Sequence, residues 1–196
     1  MKIIFLDRDG VINRYPGYGH YVTRIKDFHF LSGTCEAIRR LTQRGYRIFI
    51  ISNQAGVSRG VYTKEKLNQI TRFMLQKIAR SGGRIKKVFY CTHTPDKNCD
   101  CRKPKIGSFK KAFRALGQSL TEAKHSFFIG DTQSDIEAGH RAGCKTILVL
   151  SGKKHERRDV RRWPIKPDYI TQNLLKAVRI VENENSGCSC LRRGRA

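Results

Sequence analysis

Five short apolar runs constrain this chain more than any other feature: Ile3–Leu6, Ile48–Ile51, Val88–Tyr90, Phe127–Ile129 and Ile147–Leu150. Each is continuous rather than alternating, which predicts strands buried on both faces. Helical patterns separate them. Cys35, Ile38 and Leu41 share one helical face after Ser32-Gly33 and stop at Gly45. Leu67, Ile70, Phe73, Met74 and Ile78 form a longer stripe between Thr63 and Gly82-Gly83. Phe109, Ala112, Phe113 and Leu116 follow the same rule, and shorter helices are expected over 134–142 and 173–181. Such alternation predicts an α/β fold with helices on both faces of a central parallel sheet. Four runs end in polar clusters, at Asp7, Ser52, Cys91 and Asp131. Ligands of open parallel sheets bind at the carboxyl ends of the strands, so these clusters should converge.

The chain has 196 residues, a length for one domain with a full core. Residues 1–182 read as that domain. Residues 183–196, rich in Asn, Ser, Gly and Arg, read as a basic, disordered tail. No apolar run approaches the ~20 residues of a membrane span, and the N-terminus is not a signal peptide. A cytoplasmic protein with no membrane partner is expected. Lys and Arg number 40 against 16 Asp and Glu, a net charge of +24 spread along the chain. Such a surface attracts polyanions and phosphorylated substrates; a general compositional bias explains it equally well.

Asp7-Arg8-Asp9-Gly10 follows the first strand directly. A strand end holds Asp7 rigidly, and Gly10 lets the chain turn. Two carboxylates this close suit a hard cation such as Mg²⁺, or a nucleophile beside a proton carrier. Asp131, in Gly130-Asp131-Thr132-Gln133-Ser134-Asp135, would complete a metal site with Asp7 and Asp9. Asp135 itself reads better as a helix cap. Ser52-Asn53-Gln54 offers a hydroxyl and amides for a phosphoryl oxygen, although Ser-Asn is also an ordinary turn. Arg102 and Lys103 add cations: Lys103 for a transferring phosphoryl group, Arg102 for a second anion.

The seven cysteines are odd in number and clustered, unlike a disulfide framework. Cys91, His93, Cys99 and Cys101 offer three thiolates and an imidazole within eleven residues, a set that fits tetrahedral Zn²⁺ in a closed, structural site. Zinc would fold a loop with almost no apolar residues and would place Arg102 and Lys103.

In this order, Asp-Arg-Asp-Gly, the strand-end Ser52, Lys103 and Gly-Asp-x-x-x-Asp resemble the haloacid dehalogenase (HAD) phosphohydrolase superfamily from about Lys2 to Leu150. The resemblance implies a three-layer Rossmann-like fold. It also implies that Asp7 attacks phosphorus and forms an aspartyl-phosphate. Asp9 then serves the leaving group and the hydrolytic water in turn. Mg²⁺ would be held by Asp7, the main-chain carbonyl of Asp9 and Asp131, while Ser52 and Lys103 stabilise the phosphoryl oxygens.

The cysteine loop narrows the resemblance to the branch of heptose bisphosphate and histidinol phosphate phosphatases. His20-Tyr21-Val22, Phe28–Gly33 and Ser52–Gly60 are similar to the heptose group. That likeness implies substrate contacts from Tyr21, Asn53, Gln54, Arg59 and Arg102, with the two arginines meeting the distal phosphate. Thr92 stands where that branch carries Pro, and the Asn13–His20 loop is longer. No connection is long enough for a large cap domain. The expected substrate is a small phosphorylated sugar, handled by a monomer. Histidinol phosphate and a nucleic-acid 3′-phosphate are the alternatives.

Overall fold

The computed structural model describes residues 2–152 and 160–185. Its strands are β1 (Ile3–Leu6), β2 (Arg47–Asn53), β3 (Lys87–Cys91), β4 (Ser126–Gly130), β5 (Lys145–Val149) and β6 (Tyr169–Thr171). They form one sheet in the order β3-β2-β1-β4-β5-β6, and every pairing is parallel. The helices are α1 (Thr34–Gln43), α2 (Lys64–Arg80), α3 (Gly107–Arg114), α4 (Gln133–Arg141) and α5 (Leu174–Asn185).

The period of two along each strand divides the core into two layers. Ile4, Leu6, Ile48, Ile50, Phe127 and Ile129 pack with Ile38 and Leu41 of α1, Ile70 and Met74 of α2, and Val178 and Val181 of α5. Ile3, Phe5, Phe49, Ile51 and Phe128 face the other way, onto Phe109 and Phe113 of α3 and Ala138 of α4. Phe5 stacks at 5.6 Å on Phe49 and lies 4.8 Å from Phe109 between ring centres. The single tryptophan, Trp163, closes a smaller cluster with Ile136 and Leu148. Burial on both faces is why the central strands carry no polar alternation.

Three elements depart from the sequence reading. β3 is an edge strand and only half-buried along Val88–Tyr90. β6 was not legible: it has three residues, and Ile170 is exposed. Tertiary contact creates it, because Asp168 accepts from the Thr146 amide at 2.7 Å and from its hydroxyl at 2.8 Å, docking the chain beside β5. α5 continues to Asn185, past the point where the tail was expected to begin. Glu182 explains this, since it takes ion pairs from Arg40 at 2.5 Å and Arg44 at 2.8 Å and so joins α5 to α1. The rest of the expected tail, and Cys188 with Cys190, lies outside the described residues.

The long connection from β1 to α1 leaves and returns through paired backbone. Arg14 donates to His29 at 2.8 Å and Leu31 to Ile12 at 3.0 Å. Val22 and Phe28 return to the main core. The loop therefore lies on the domain and forms no cap of its own. No helix among the described residues is long and apolar enough to cross a membrane.

Candidate active site

β1 sits between β2 and β4, so Asp7, Ser52 and Asp131 emerge side by side at the carboxyl edge. The Asp7 amide still donates to Ile129 at 3.0 Å, which extends the ladder one residue and fixes the carboxylate. Lys103 arrives from the cysteine loop. Its ammonium is buried, donates to Asp7 Oδ1 at 2.7 Å and the Ile51 carbonyl at 3.0 Å, and forms an ion pair with Asp135 Oδ1 at 2.5 Å. Burial pushes the Asp7 carboxyl up to about 6, against the downward pull of Lys103 and with Asp135 adding to the rise. Burial alone would depress the Lys103 ammonium, but Asp135 and Asp7 more than offset it and hold it charged.

Asp131 and Asp135 divide their work. Asp135 Oδ2 accepts from the Asp131 and Thr132 amides at 3.1 and 3.0 Å and completes a capping box with Thr132 at the start of α4. Asp131 is pinched between two glycines. A Cβ on Gly152 would lie 1.8 Å from Asp131 Oδ2, and one on Gly10 would lie 2.3 Å from it. Ser151 Oγ donates to the Gly10 carbonyl at 2.7 Å and ties the loop after β5 to the loop after β1. Ser151 and Gly152 had no sequence signal, because their role is close approach rather than chemistry.

One carboxylate oxygen from each of Asp7, Asp131 and Asp135 lies within 4.8 Å of the other two. The Asp9 side chain is turned away from them, toward Arg8, Asn13 and Gln54. Three buried carboxylates face one buried ammonium, so the pocket keeps an excess of negative charge on hard oxygen donors. This donor set fits a divalent cation of the Mg²⁺ type, with Asp9 limited to its main-chain carbonyl.

Ser52 is buried at the end of β2, with Gln54 Nε2 3.2 Å from its hydroxyl. Asn53 bridges to the backbone of Lys103 in both directions, at 3.1 and 3.2 Å, and so holds that residue in place. Gln54 is fully buried, its amide engaged inside the protein. Tyr21 is half-buried on the open side, against Gly56, with its ring 6.0 Å from that of Tyr62. Arg59 is exposed and close enough to the cysteine loop to help the Thr94 hydroxyl lower the Asp96 carboxyl. Arg102 donates to the His93 carbonyl at 3.3 Å. Sequence reasoning missed Arg8, Tyr62 and Tyr90, which meet beneath Asp9.

The second cluster is compact. Cys91 Sγ lies 3.5 Å from Cys99 Sγ and 3.8 Å from His93 Nδ1. Cys101 Sγ is 3.5 Å from Cys99 Sγ and 3.4 Å from His93 Nδ1. Ligands at ~2.3 Å from a tetrahedral ion stand roughly 3.8 Å apart, so the four atoms fit Zn²⁺ closely. Burial pushes the Cys91 thiol up to about 12, while hydrogen bonds from Cys91 and Cys101 bring Cys99 down to about 6 against its own desolvation.

Fold and site together define a hydrolase of the haloacid dehalogenase-like class. The HAD-hydrolase-like family model matches residues 100–177. The chain is 36% identical over 160 residues to a D-glycero-β-D-manno-heptose-1,7-bisphosphate 7-phosphatase of Haemophilus ducreyi, spanning 78% of this chain and 85% of the relative. It is 34% identical to a D-glycero-α-D-manno-heptose-1,7-bisphosphate 7-phosphatase of Photorhabdus laumondii, over 93% of this chain and 97% of the relative. A crystal structure of the D,D-heptose 1,7-bisphosphate phosphatase of B. bronchiseptica, complexed with magnesium and phosphate, superposes with a TM-score of 0.84 at 32% identity. That match covers 94% of this chain and 99% of the other. The chain belongs to the D,D-heptose 1,7-bisphosphate 7-phosphatase family.

Proposed function

We propose that this phosphatase removes the 7-phosphate of D-glycero-D-manno-heptose 1,7-bisphosphate through a phosphoryl group carried on Asp7. One observation carries the reading: Asp7 is fixed at the end of β1 against the Lys103 ammonium, in a chain whose relatives act on this bisphosphate.

Asp7 attacks phosphorus in line with the leaving oxygen. Asp9 gives that oxygen a proton, then takes one from the water that releases phosphate. Ser52 and Lys103 hold the non-bridging oxygens, where charge collects during the transfer. Asp7, Asp131 and the Asp9 carbonyl would hold Mg²⁺, which when bound supplies the positive charge that brings an anionic ester to a carboxylate. Cys91, His93, Cys99 and Cys101 would hold a structural Zn²⁺. Tyr21, Arg59 and Arg102 meet the sugar end, and the two arginines meet the phosphate that stays. Asn53 and Gln54 contribute through the groups they hold. The enzyme works as a monomer in the cytoplasm.

The test is phosphate release, with Mg²⁺, from heptose 1,7-bisphosphate, histidinol phosphate and a 3′-phosphorylated oligonucleotide, with Asp7→Asn as control. The expected result is a large kcat/KM preference for the heptose bisphosphate, lost in Asp7→Asn. A preference for the oligonucleotide, weakening as salt rises, would overturn the reading and make the basic surface the better guide.

A further inference from the structure

The acids of this chain avoid one region. From 37 to 95 the sequence holds thirteen Lys and Arg and a single acid, Glu65, while the rest of the chain keeps fifteen acids. A uniform bias of composition would not empty 59 residues in this way. In parallel βαβ units the strands start and the helices end at the same sheet edge, opposite the edge that binds ligands. α1 and α2 both end there, and β2 and β3 both start there.

Contacts gather the cations of that edge into one corner. The Arg84 amide donates to Thr42 Oγ1 at 2.9 Å, so the chain entering β3 lies against the end of α1. A Cβ on Gly82 would stand 3.4 Å from Arg39 Cδ, which places the Arg39 stem over the turn after α2. The Arg47 amide donates to the Lys2 carbonyl at 2.9 Å, and the Lys86 amide to the Ile48 carbonyl at 2.7 Å. Lys2 holds its ammonium 5.6 Å from the centre of the Tyr46 ring. Cations in a last helical turn complement the helix dipole, which accounts for Lys77 and Arg80 of α2. Arg47, Arg84, Lys86 and Lys87 belong to no helix, and all four are exposed. The nearby acids are already engaged: Glu182 with Arg40 and Arg44, and Glu184 with Lys145. Arg39, Arg47, Arg80, Arg84, Lys86 and Lys87 take part in no ion pair among the described residues. Left alone, such a cluster of like charges repels itself.

We propose that this corner is a docking surface for a nucleic-acid duplex, held by its phosphate backbone without regard to base sequence. Lys87, Arg47 and Lys2 cross three adjacent strands, roughly 10 Å, a length over which a duplex carries about six phosphate charges. The arginine forks suit pairs of phosphate oxygens. No exposed ring stands among the described residues of the corner to stack an unpaired base: Tyr46 is buried and Phe89 half-buried. An anionic membrane would call for apolar anchors beside the cations. The exposed large apolar residues among the described ones are Tyr18, Ile25, Val61 and Ile170, none of them in this corner. Because Asp7, Ser52 and Asp131 open at the opposite edge, a docked duplex leaves the active site free.

The test is fluorescence anisotropy of the full chain with two 20-base-pair DNA duplexes of unrelated sequence, both with hydroxyl ends so that neither is a phosphomonoester. At 0.15 M NaCl the expected Kd is ~1–100 μM, equal for the two within about 3-fold. Replacing three cations together, Arg47→Gln, Arg84→Gln and Lys86→Gln, should weaken binding at least ~10-fold and flatten the slope of log Kd against log salt by about 2–3. A control triple, Lys26→Gln, Lys110→Gln and Lys176→Gln, removes the same charge from exposed lysines of other elements and should weaken it less than ~3-fold. Both triples should keep the phosphatase turnover of the wild type. Acetylation of wild-type lysines, read by mass spectrometry, needs no variant to fold: the duplex should protect Lys2, Lys86 and Lys87 over Lys26, Lys110 and Lys176. A Kd above ~1 mM, equal weakening in the two triples, or equal protection of the two lysine sets would overturn the proposal. Binding to phosphatidylserine vesicles but not to either duplex would overturn it in favour of a membrane surface.

Discussion

Asp7 is a residue on which burial and charge disagree. Its carboxyl is pushed up to about 6 by burial although Lys103 touches it, because Asp135 and Asp9 add like charge nearby. Asp7→Asn removes one of three clustered carboxylates, so it should stabilise the metal-free protein by about 1–2 kcal/mol while abolishing turnover. Thermal melts without added Mg²⁺ and phosphate release would check both halves. Cys144 gives the opposite kind of case. It is buried against the α3 layer, and burial alone pushes its thiol up to about 12. In the unfolded chain a thiol ionises near 8.5, so stability is lost as pH rises through 9 toward 12, and at pH 8 the folded thiol stays neutral. Iodoacetamide at pH 8 should leave the Cys144 peptide unlabelled in native protein and label it in urea, read by mass spectrometry. Asp7 was legible as a strand-end acid and Cys144 as one of seven cysteines. Their environments were not, because they depend on what the rest of the chain packs against them.

The loop after β5 is an element whose purpose only appears in three dimensions. Ser151-Gly152 crosses to Gly10 and closes on Asp131, and a methyl group at Gly152 would stand 1.8 Å from the carboxylate. Gly152→Ala should lower kcat at least 100-fold and raise the Mg²⁺ concentration needed for activity, with little change in circular dichroism. A Mg²⁺ titration of phosphate release would show it. The cysteine loop joins β3 to α3 and has one buried side chain, Cys91, among the four that could hold a metal. If it holds zinc as proposed, removing the metal should unfold the loop, lower Tm, and reduce turnover by releasing Lys103 from Asp7. Atomic absorption should find about one zinc per chain in the wild type and less in Cys99→Ser. Helical stripes and strand runs were readable here because their periods repeat within a few residues. β6 was not, since its pairing is imposed by Asp168 docking on Thr146 across 22 positions.

Across the whole molecule, the net charge of +24 works against compaction. Salt screens that repulsion, so Tm should rise by a few degrees between 0.05 and 0.5 M NaCl, a change that differential scanning calorimetry would resolve. A Tm that falls with salt would mean that attractive pairs such as those of Glu182 dominate instead. The sequence by itself determined the layered α/β plan and the row of Asp7, Ser52, Cys91 and Asp131 at one sheet edge. It could do so because burial of a strand is written in consecutive residues, and parallel strands share a direction. Only the tertiary structure decided that Arg8 points inward to Gln54, 46 positions away, that Asp135 joins Lys103, and that Asp9 faces Asn13 rather than Asp131. Those choices follow from which buried donors find which acceptors once the layers close. No local period records that matching.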